Sequence, residues 1–156
     1  MAQVNRKPLT HNNKVIPLSP GAPWTFWDFC LSKESNPIES WYQSALSDDG
    51  KFLLDSLLKS NRKTALPNDW VGFRKFLKGK PNKYKIWELG FRADGRQYRV
   101  FGTFGTVRKQ AILLLGCYHK GGVYTPPDSL EQAYKRARML AENKAVIHAR
   151  PINDDL

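Results

Sequence analysis

The sequence is poor in cysteine and has no long run of apolar residues. Its 156 residues include two cysteines, Cys30 and Cys117, which are too few for a disulfide framework and do not stand at metal-ligand spacing. The longest apolar segment, residues 111–117, has the length of a strand, which excludes a transmembrane helix. No apolar segment follows the basic residues near the N-terminus, so we expect no secretory signal and a cytoplasmic location.

The motifs of several common enzyme sites are also missing. Gly121-Gly122, Gly102 and Gly105 lack the Gly-Lys-Ser/Thr sequence of a phosphate-binding loop and are interpreted as turns. The histidines and cysteines form no zinc pattern, and no Ser/His/Asp or Cys/His spacing indicates a nucleophile. The sequence therefore predicts neither a metal nor an organic cofactor.

Acidic residues are scarce in the second half of the chain. The formal net charge is +11, from 25 Lys and Arg against 14 Asp and Glu. Residues 1–73 hold 8 basic and 7 acidic residues, a net of +1, whereas residues 74–156 hold 17 and 7, a net of +10. Solubility alone does not explain this asymmetry. It favours a polyanionic partner, above all nucleic acid or the ribosome, with an anionic membrane surface second.

Helix signals occur three times. Asn36 is a predicted N-cap with Pro37 at the first helical position, and Ser47 precedes a second helix, so that the two form a helical hairpin. A third helix begins after Asp128. A short helix is also predicted near residues 70–77.

Strand patterns precede and follow the helical hairpin. The predicted strands cover residues 24–31, 84–91, 96–104 and 110–118. Asp94-Gly95 is typical of a two-residue hairpin turn between the second and third of them. The order predicts a small α+β domain with helices on one face of a largely antiparallel sheet.

The domain is expected to span residues 24–142. Residues 1–23 are rich in proline and have no apolar period, so they are interpreted as a flexible N-terminal arm. Residues 143–156 are interpreted as a C-terminal tail, with a short edge strand at residues 145–149.

Six segments of this domain form a pattern through their order along the chain. They are residues 24–29, Asn36-Pro37-Ile38-Glu39-Ser40-Trp41, Ile86-Trp87-Glu88-Leu89, Arg96-Gln97-Tyr98-Arg99-Val100-Phe101, Ile112-Leu113-Leu114-Leu115-Gly116 and Tyr124-Thr125-Pro126. In this order they resemble the phage-associated HigB-like branch of the RelE/ParE toxin superfamily. The resemblance covers about three quarters of the chain.

The resemblance implies a fold, an activity and partners. The fold would be a small twisted antiparallel sheet with an N-terminal helical hairpin packed on one face and a C-terminal helix. The activity would be that of a type II toxin, an mRNA interferase that cuts mRNA without a metal, usually on the ribosome. A HigA-like helix-turn-helix antitoxin would neutralise it, and no membrane would be involved.

Two positions depart from the family pattern, and they leave a second interpretation of the function open. The family commonly has an arginine directly after Trp-Glu-Leu and a histidine just before the glycine of the third strand, where this chain has Gly90 and Leu115. The alternative is a non-catalytic binding module of the same fold, either a gyrase inhibitor or a phage-encoded protein that binds a host partner.

Metal-free RNA cleavage requires a base, an acid and cations around the phosphorane. The predicted catalytic residues are Arg92, Arg99, His119, Tyr118 and Lys120. Arginine gives bidentate phosphate contacts, and histidine transfers protons near neutral pH. The resemblance also points to Tyr118-His119, because some HigB toxins use an aromatic–histidine pair at this strand end. A solvated hairpin rim and a strand-end histidine without a role are the alternatives.

A second set of residues is predicted to hold the RNA. It consists of Lys83, Lys85, Arg96, Tyr124, Lys78 and Lys80. The cations track phosphates, and Tyr124 offers a ring on which an unpaired base can stack. Loop packing is the alternative for Tyr124, and Glu88 is expected to pair with a basic neighbour rather than act as an acid. We expect the arginines and His119 to converge in one concave pocket.

Overall fold

The structure is a computed structural model that describes residues 10–11, 14–15, 21–75 and 83–152. The helices are α1 (Pro37–Ala45), α2 (Asp48–Asn61) and α3 (Ser129–Ala141), with a 3₁₀ turn at Pro67–Asp69. The strands are β1 (Thr10–His11), β2 (Lys14–Val15), β3 (Thr25–Cys30), β4 (Phe73–Lys75), β5 (Trp87–Ala93), β6 (Arg96–Phe104), β7 (Gln110–Lys120), β8 (Val123–Thr125) and β9 (Val146–Ala149). None of the helices in the described ranges is long and apolar enough to cross a bilayer.

Local sequence chemistry explains most of these element boundaries. The Asn36 side chain accepts a hydrogen bond from the Glu39 N–H at 2.9 Å, and Pro37 opens α1. Ser47 accepts from the Gly50 N–H at 3.1 Å and caps α2. Asp94 and Gly95 both have positive φ, as a two-residue hairpin turn requires, and they join β5 to β6. The two predicted helices are therefore present as consecutive elements, and the predicted strand hairpin is confirmed.

The fold is α+β, with a mixed sheet of seven strands. Its order is β4-β5-β6-β7-β3-β9. The strand β8 pairs with the C-terminal end of β7, beyond the residues of β7 that pair with β3. All neighbours are antiparallel except β3 and β7, which are parallel. The sheet is therefore largely antiparallel, as the order of elements predicts, but it is mixed, whereas the resemblance implies an antiparallel sheet. The long crossover between β3 and β7 allows the parallel pair, because it contains α1, α2 and the strands β4 to β6.

Helices cover both faces of the sheet, which corrects the expectation of helices on one face. The helices α1 and α2 pack on one side, which we call the α1/α2 face, over a core that includes Phe26, Leu113 and Val100. The helix α3 packs on the other side, the α3 face, over Phe29 and Leu114. Successive residues of β3 and β7 point to opposite faces of the sheet, and nearly all of them are buried. Both faces of these strands therefore need a helical layer to cover them.

A β-bulge in β7 decides which side chains reach the α3 face. Phe101 pairs with Leu115 and Gly102 pairs with Leu113, so Leu114 is the extra residue. Arg136 of α3 donates to the Leu114 carbonyl at 2.7 Å. An extra residue shifts the alternation by one, so the odd-numbered positions after it lie on the α3 face. His119 is one of them.

Other predictions about the ends of the domain have mixed outcomes. The edge strand expected at residues 145–149 is present as β9, which pairs antiparallel with β3. The hairpin β1–β2 lies within the predicted arm. The predicted helix near residues 70–77 is wrong over its described part, because Phe73–Lys75 form β4 and pair with β5.

Candidate functional site

The register of five strands, β4 to β8, brings a group of polar side chains together on the α3 face. Strand partners that lie directly opposite each other share a face. Glu88 pairs with Phe101 across β5 and β6, and His119 pairs with Tyr124 across β7 and β8. We call the resulting group the Glu88 cluster. Its members are Arg74, Glu88, Arg99, His119 and Tyr124.

Glu88 is the centre of this cluster. Its Oε2 lies 3.3 Å from Arg99 Nε, and its Oε1 lies 3.9 Å from Arg74 Nη1. The Tyr124 hydroxyl donates to Oε2 at 3.4 Å. The exposed fractions of the side chains are 5% for Glu88, 13% for Arg99 and 71% for Arg74. A buried carboxylate thus holds one buried and one exposed arginine.

Burial also sets the protonation chemistry of the cluster. Desolvation raises the pKa of Glu88, although the Arg99 and Arg74 charges and the Tyr124 hydroxyl oppose the rise. Burial and the neighbouring Glu88 raise the pKa of Tyr124 to about 12, so its hydroxyl stays a donor at neutral pH. The expectation that Glu88 pairs with a basic neighbour is confirmed.

A glycine makes the space that the Arg99 guanidinium occupies. A Cβ atom at Gly90 would lie 2.9 Å from Arg99 Nη1 and 3.2 Å from its Cζ. The same Nη1 donates to the Gln97 side chain at 3.2 Å and to the Tyr98 carbonyl at 3.0 Å. Gly90 is one of the two departures from the family pattern, and here a guanidinium from the next strand fills the space beside it.

His119 and Arg92 lie at the open end of the same face. The ring centroids of His119 and Tyr124 are 5.1 Å apart at 63°. Gln97 pairs with Arg92 on one side and with His119 on the other, so all three share the α3 face. Three of the predicted catalytic residues, Arg92, Arg99 and His119, therefore come from three adjacent strands and face the same way.

The remaining predicted residues of these strands lie on the opposite face. The Arg96 guanidinium lies 4.7 Å from the centre of the Tyr118 ring, and Tyr118 packs edge-on against Tyr98 of the α1/α2 core. Lys120 follows Tyr118 by two residues and is exposed on that side. The structure does not bring Arg96, Tyr118 or Lys120 together with His119. Successive residues of a strand point to opposite faces, and after the bulge the even-numbered positions of β7 lie on the α1/α2 face, as Arg96 of β6 does.

The predicted lysines before β5 are only partly described. Lys83 Nζ lies 5.5 Å from the centre of the Tyr84 ring, and Lys85 is exposed in a left-handed conformation. Lys78 and Lys80 lie outside the described residues. Arg74 was missed by sequence reasoning, since its place beside Glu88 depends on the β4–β5 register.

A second buried polar group, also missed, lies on the α1/α2 face. Arg150 follows β9, and its guanidinium contacts Asp28 at 3.0 Å and Glu39 at 2.5 Å while it stacks on the Tyr42 ring at 4.6 Å. Tyr42 in turn donates to Asp55 at 2.6 Å. The Arg150 and Asp28 side chains are 3% and 1% exposed, so this group joins the C-terminal segment to the interior.

The two helical layers carry opposite charge. Within α1 and α2 there are four acidic and two basic residues, a net of −2, whereas α3 has one acidic and three basic residues, a net of +2. The helical layer on the α3 face is therefore the more positive of the two. Within the described ranges, no three His, Cys, Asp or Glu side chains group as metal ligands.

Comparisons with known proteins return nothing: no protein-family model matches the chain, and no curated protein or solved structure is significantly similar to it.

Proposed function

We propose that this chain is the toxin of a type II toxin–antitoxin system and a metal-independent mRNA endoribonuclease with a RelE-like fold. It acts in the cytoplasm on ribosome-bound mRNA, and a HigA-like helix-turn-helix antitoxin neutralises it. The observation that carries the proposal is that Arg92, Arg99 and His119 share the α3 face on three adjacent strands. The net charge of +10 over residues 74–156 supports an RNA partner.

The chemistry uses the RNA as its own nucleophile. The 2′-hydroxyl oxygen forms a bond to the adjacent phosphorus while the bond from phosphorus to the 5′-oxygen breaks. The products are a 2′,3′-cyclic phosphate and a 5′-hydroxyl. His119 takes the proton from the 2′-hydroxyl or returns one to the leaving oxygen, because imidazole can do either near neutral pH.

The arginines neutralise the charge that develops on the phosphorane. Arg99 is held through Nε by Glu88 and through Nη1 by Gln97 and the Tyr98 carbonyl, so its orientation is fixed before RNA binds. We assign its second terminal nitrogen, Nη2, to the phosphate. Arg92 is exposed and adds a second cation.

The experiment that tests the proposal is cleavage of a defined mRNA by the purified full-length protein, with and without ribosomes, in EDTA. We expect fragments with 5′-hydroxyl ends in at least the ribosome-containing reaction. Intact mRNA in both reactions would contradict the proposal.

A second candidate is the non-catalytic binding module. It is favoured by the ion pair that neutralises Arg99 and by Leu115, which is buried in the α3 core where the family has a histidine. Expression in a bacterial host separates the two. An interferase shortens mRNA and arrests translation, whereas a gyrase inhibitor leaves mRNA intact and induces the DNA-damage response.

A further inference from the structure

A cavity of about 640 Å³ lies between the segment that leads into β5 and the outward side of α3. The residues that carry the argument are Lys83, Tyr84, Glu131, Tyr134, Lys135 and Arg138. Its volume is in the range of small-molecule sites. The cavity is separate from the Glu88 cluster, and none of its residues has a role in the proposed cleavage step.

The walls combine cations with aromatic rings. Lys83, Lys135 and Arg138 supply three positive charges, and Tyr84 and Tyr134 supply two rings. The Tyr84 carbonyl accepts a hydrogen bond from the Thr103 hydroxyl at 2.5 Å, which fixes Tyr84 against β6. Rings stack on bases and cations bind phosphates, so this combination suits a nucleotide of a single strand.

A carboxylate in the wall adds selectivity. Two carboxylates, Asp128 and Glu131, line the cavity. Asp128 accepts a hydrogen bond from the Gln132 side chain at 3.1 Å, and Glu131 is exposed on α3. A carboxylate accepts hydrogen bonds and cannot donate them at neutral pH, so it recognises an exocyclic amino group on a base. Uracil has no such group, and its carbonyl oxygens would face the negative charge.

We propose that this cavity binds one nucleotide of the RNA beside the scissile linkage and prefers a base with an exocyclic amino group over uracil. The inference rests on the proposed function, because the ligand is the RNA that the Glu88 cluster acts on. Tyr84 stands four residues before Glu88, a distance of at most about 14 Å along the chain, so one strand can reach both sites.

The test is fluorescence anisotropy with the full-length protein and three labelled 2′-O-methyl hexanucleotides, of adenosine, cytidine or uridine. The methyl group blocks cleavage, so binding is measured alone. We expect the adenosine and cytidine strands to bind about tenfold more tightly than the uridine strand. Tyr84→Ala should weaken binding of all three by about tenfold, since it removes a stacking platform.

Glu131→Gln tests whether Glu131 selects the nucleobase, because an amide can also donate a hydrogen bond to a uracil oxygen. It should bring the three affinities within about twofold of one another, and the control Glu142→Gln, at the other end of α3, should behave as the wild type. If the wild type binds no strand, this inference is overturned, whereas the proposed function is decided separately by the cleavage of mRNA with and without ribosomes. If it binds all three equally, or if neither variant changes binding, the cavity assignment is overturned while the proposed function stands.

Discussion

At the scale of the residue, one buried carboxylate organises the candidate site. Glu88 has little exposed surface and is surrounded by Arg99, Arg74 and the Tyr124 hydroxyl. The ion pair with Arg99 fixes a guanidinium that would otherwise rotate freely. Fixed geometry is what a transition-state clamp requires, since small misplacements reduce rates strongly. We therefore regard Glu88 as a residue that positions Arg99.

Gly90→Ala tests whether the position of the Arg99 guanidinium matters. The new Cβ would lie 2.9 Å from Arg99 Nη1, which is too close, so the guanidinium must shift from its present position. We expect RNA cleavage to slow by about tenfold or more, with little change in stability. The measurement is a single-turnover cleavage rate. Gly21→Ala, whose Cβ meets nothing within 4 Å, is the matched control, and equal rates for the two variants would contradict the prediction.

The raised pKa of Glu88 predicts how its contribution to the free energy of unfolding changes with pH. Its pKa in the folded protein is raised above the ordinary 4.5, so the folded state binds this proton more tightly than the unfolded state does. The stability that the group contributes is complete below pH 4.5 and is lost as pH rises through the folded pKa. The free energy of unfolding of wild type relative to Glu88→Gln should therefore fall as pH rises above 4.5. If this difference in the free energy of unfolding stays constant or rises with pH, the pKa of Glu88 is not raised in the folded protein and the prediction is wrong.

At the scale of the element, the bulge in β7 determines which side chains share the α3 face. Without the extra residue Leu114, strand alternation from Ile112 would place Tyr118 and Lys120 on that face and His119 on the other. Arg136 is the residue that compensates for the bulge. Its guanidinium binds the Leu114 carbonyl and lies 5.3 Å from the centre of the Phe29 ring, without a carboxylate partner among the described residues.

Arg136→Met should destabilise the fold, because it leaves the Leu114 carbonyl without its donor inside the core. We expect a loss of about 1.5–3 kcal/mol in the free energy of unfolding measured with urea. Arg138→Met, two residues along α3 and exposed, should change stability little. The prediction fails if the two variants unfold at the same urea concentration.

The elements that could be predicted from the sequence are those decided by local chemistry. Asn36 and Ser47 cap helices through their own neighbours, and Asp94-Gly95 adopts the turn that its positive φ values allow. The bulge at Leu114, the parallel β3–β7 pair and the place of α3 depend on contacts between distant segments. The same is true of the site: Arg99 and His119 were predicted from residue chemistry, whereas Arg74 required the strand register.

At the scale of the whole molecule, the two halves of the chain lie in different layers. This placement determines how charge is distributed and how the C-terminal segment is attached to the fold. The nearly neutral half supplies α1 and α2, and the basic half supplies α3 and the strands that carry the Glu88 cluster. The C-terminal segment closes the fold: β9 extends the sheet beside β3, and Arg150 reaches the buried Asp28 on the α1/α2 face.

Arg150→Ala should destabilise the whole fold, because Asp28 would lose its cation in the interior. We expect about 3–5 kcal/mol in the free energy of unfolding. The double variant Arg150→Met with Asp28→Asn should recover part of that loss, since it removes the uncompensated charge. Lys144→Ala, which breaks an exposed ion pair with Glu142, is the control and should cost little. A small effect of Arg150→Ala in thermal and urea unfolding would contradict this role.

We propose that the scissile linkage lies on the α3 face against His119. The most direct test is the single-turnover rate of cleavage of one RNA by His119→Ala, compared with His148→Ala on β9 and Tyr118→Phe on the opposite face. We predict a loss of about 100-fold or more for His119→Ala and rates near that of the wild type for the other two variants. Cleavage by His119→Ala at the wild-type rate would show that His119 does not transfer the proton.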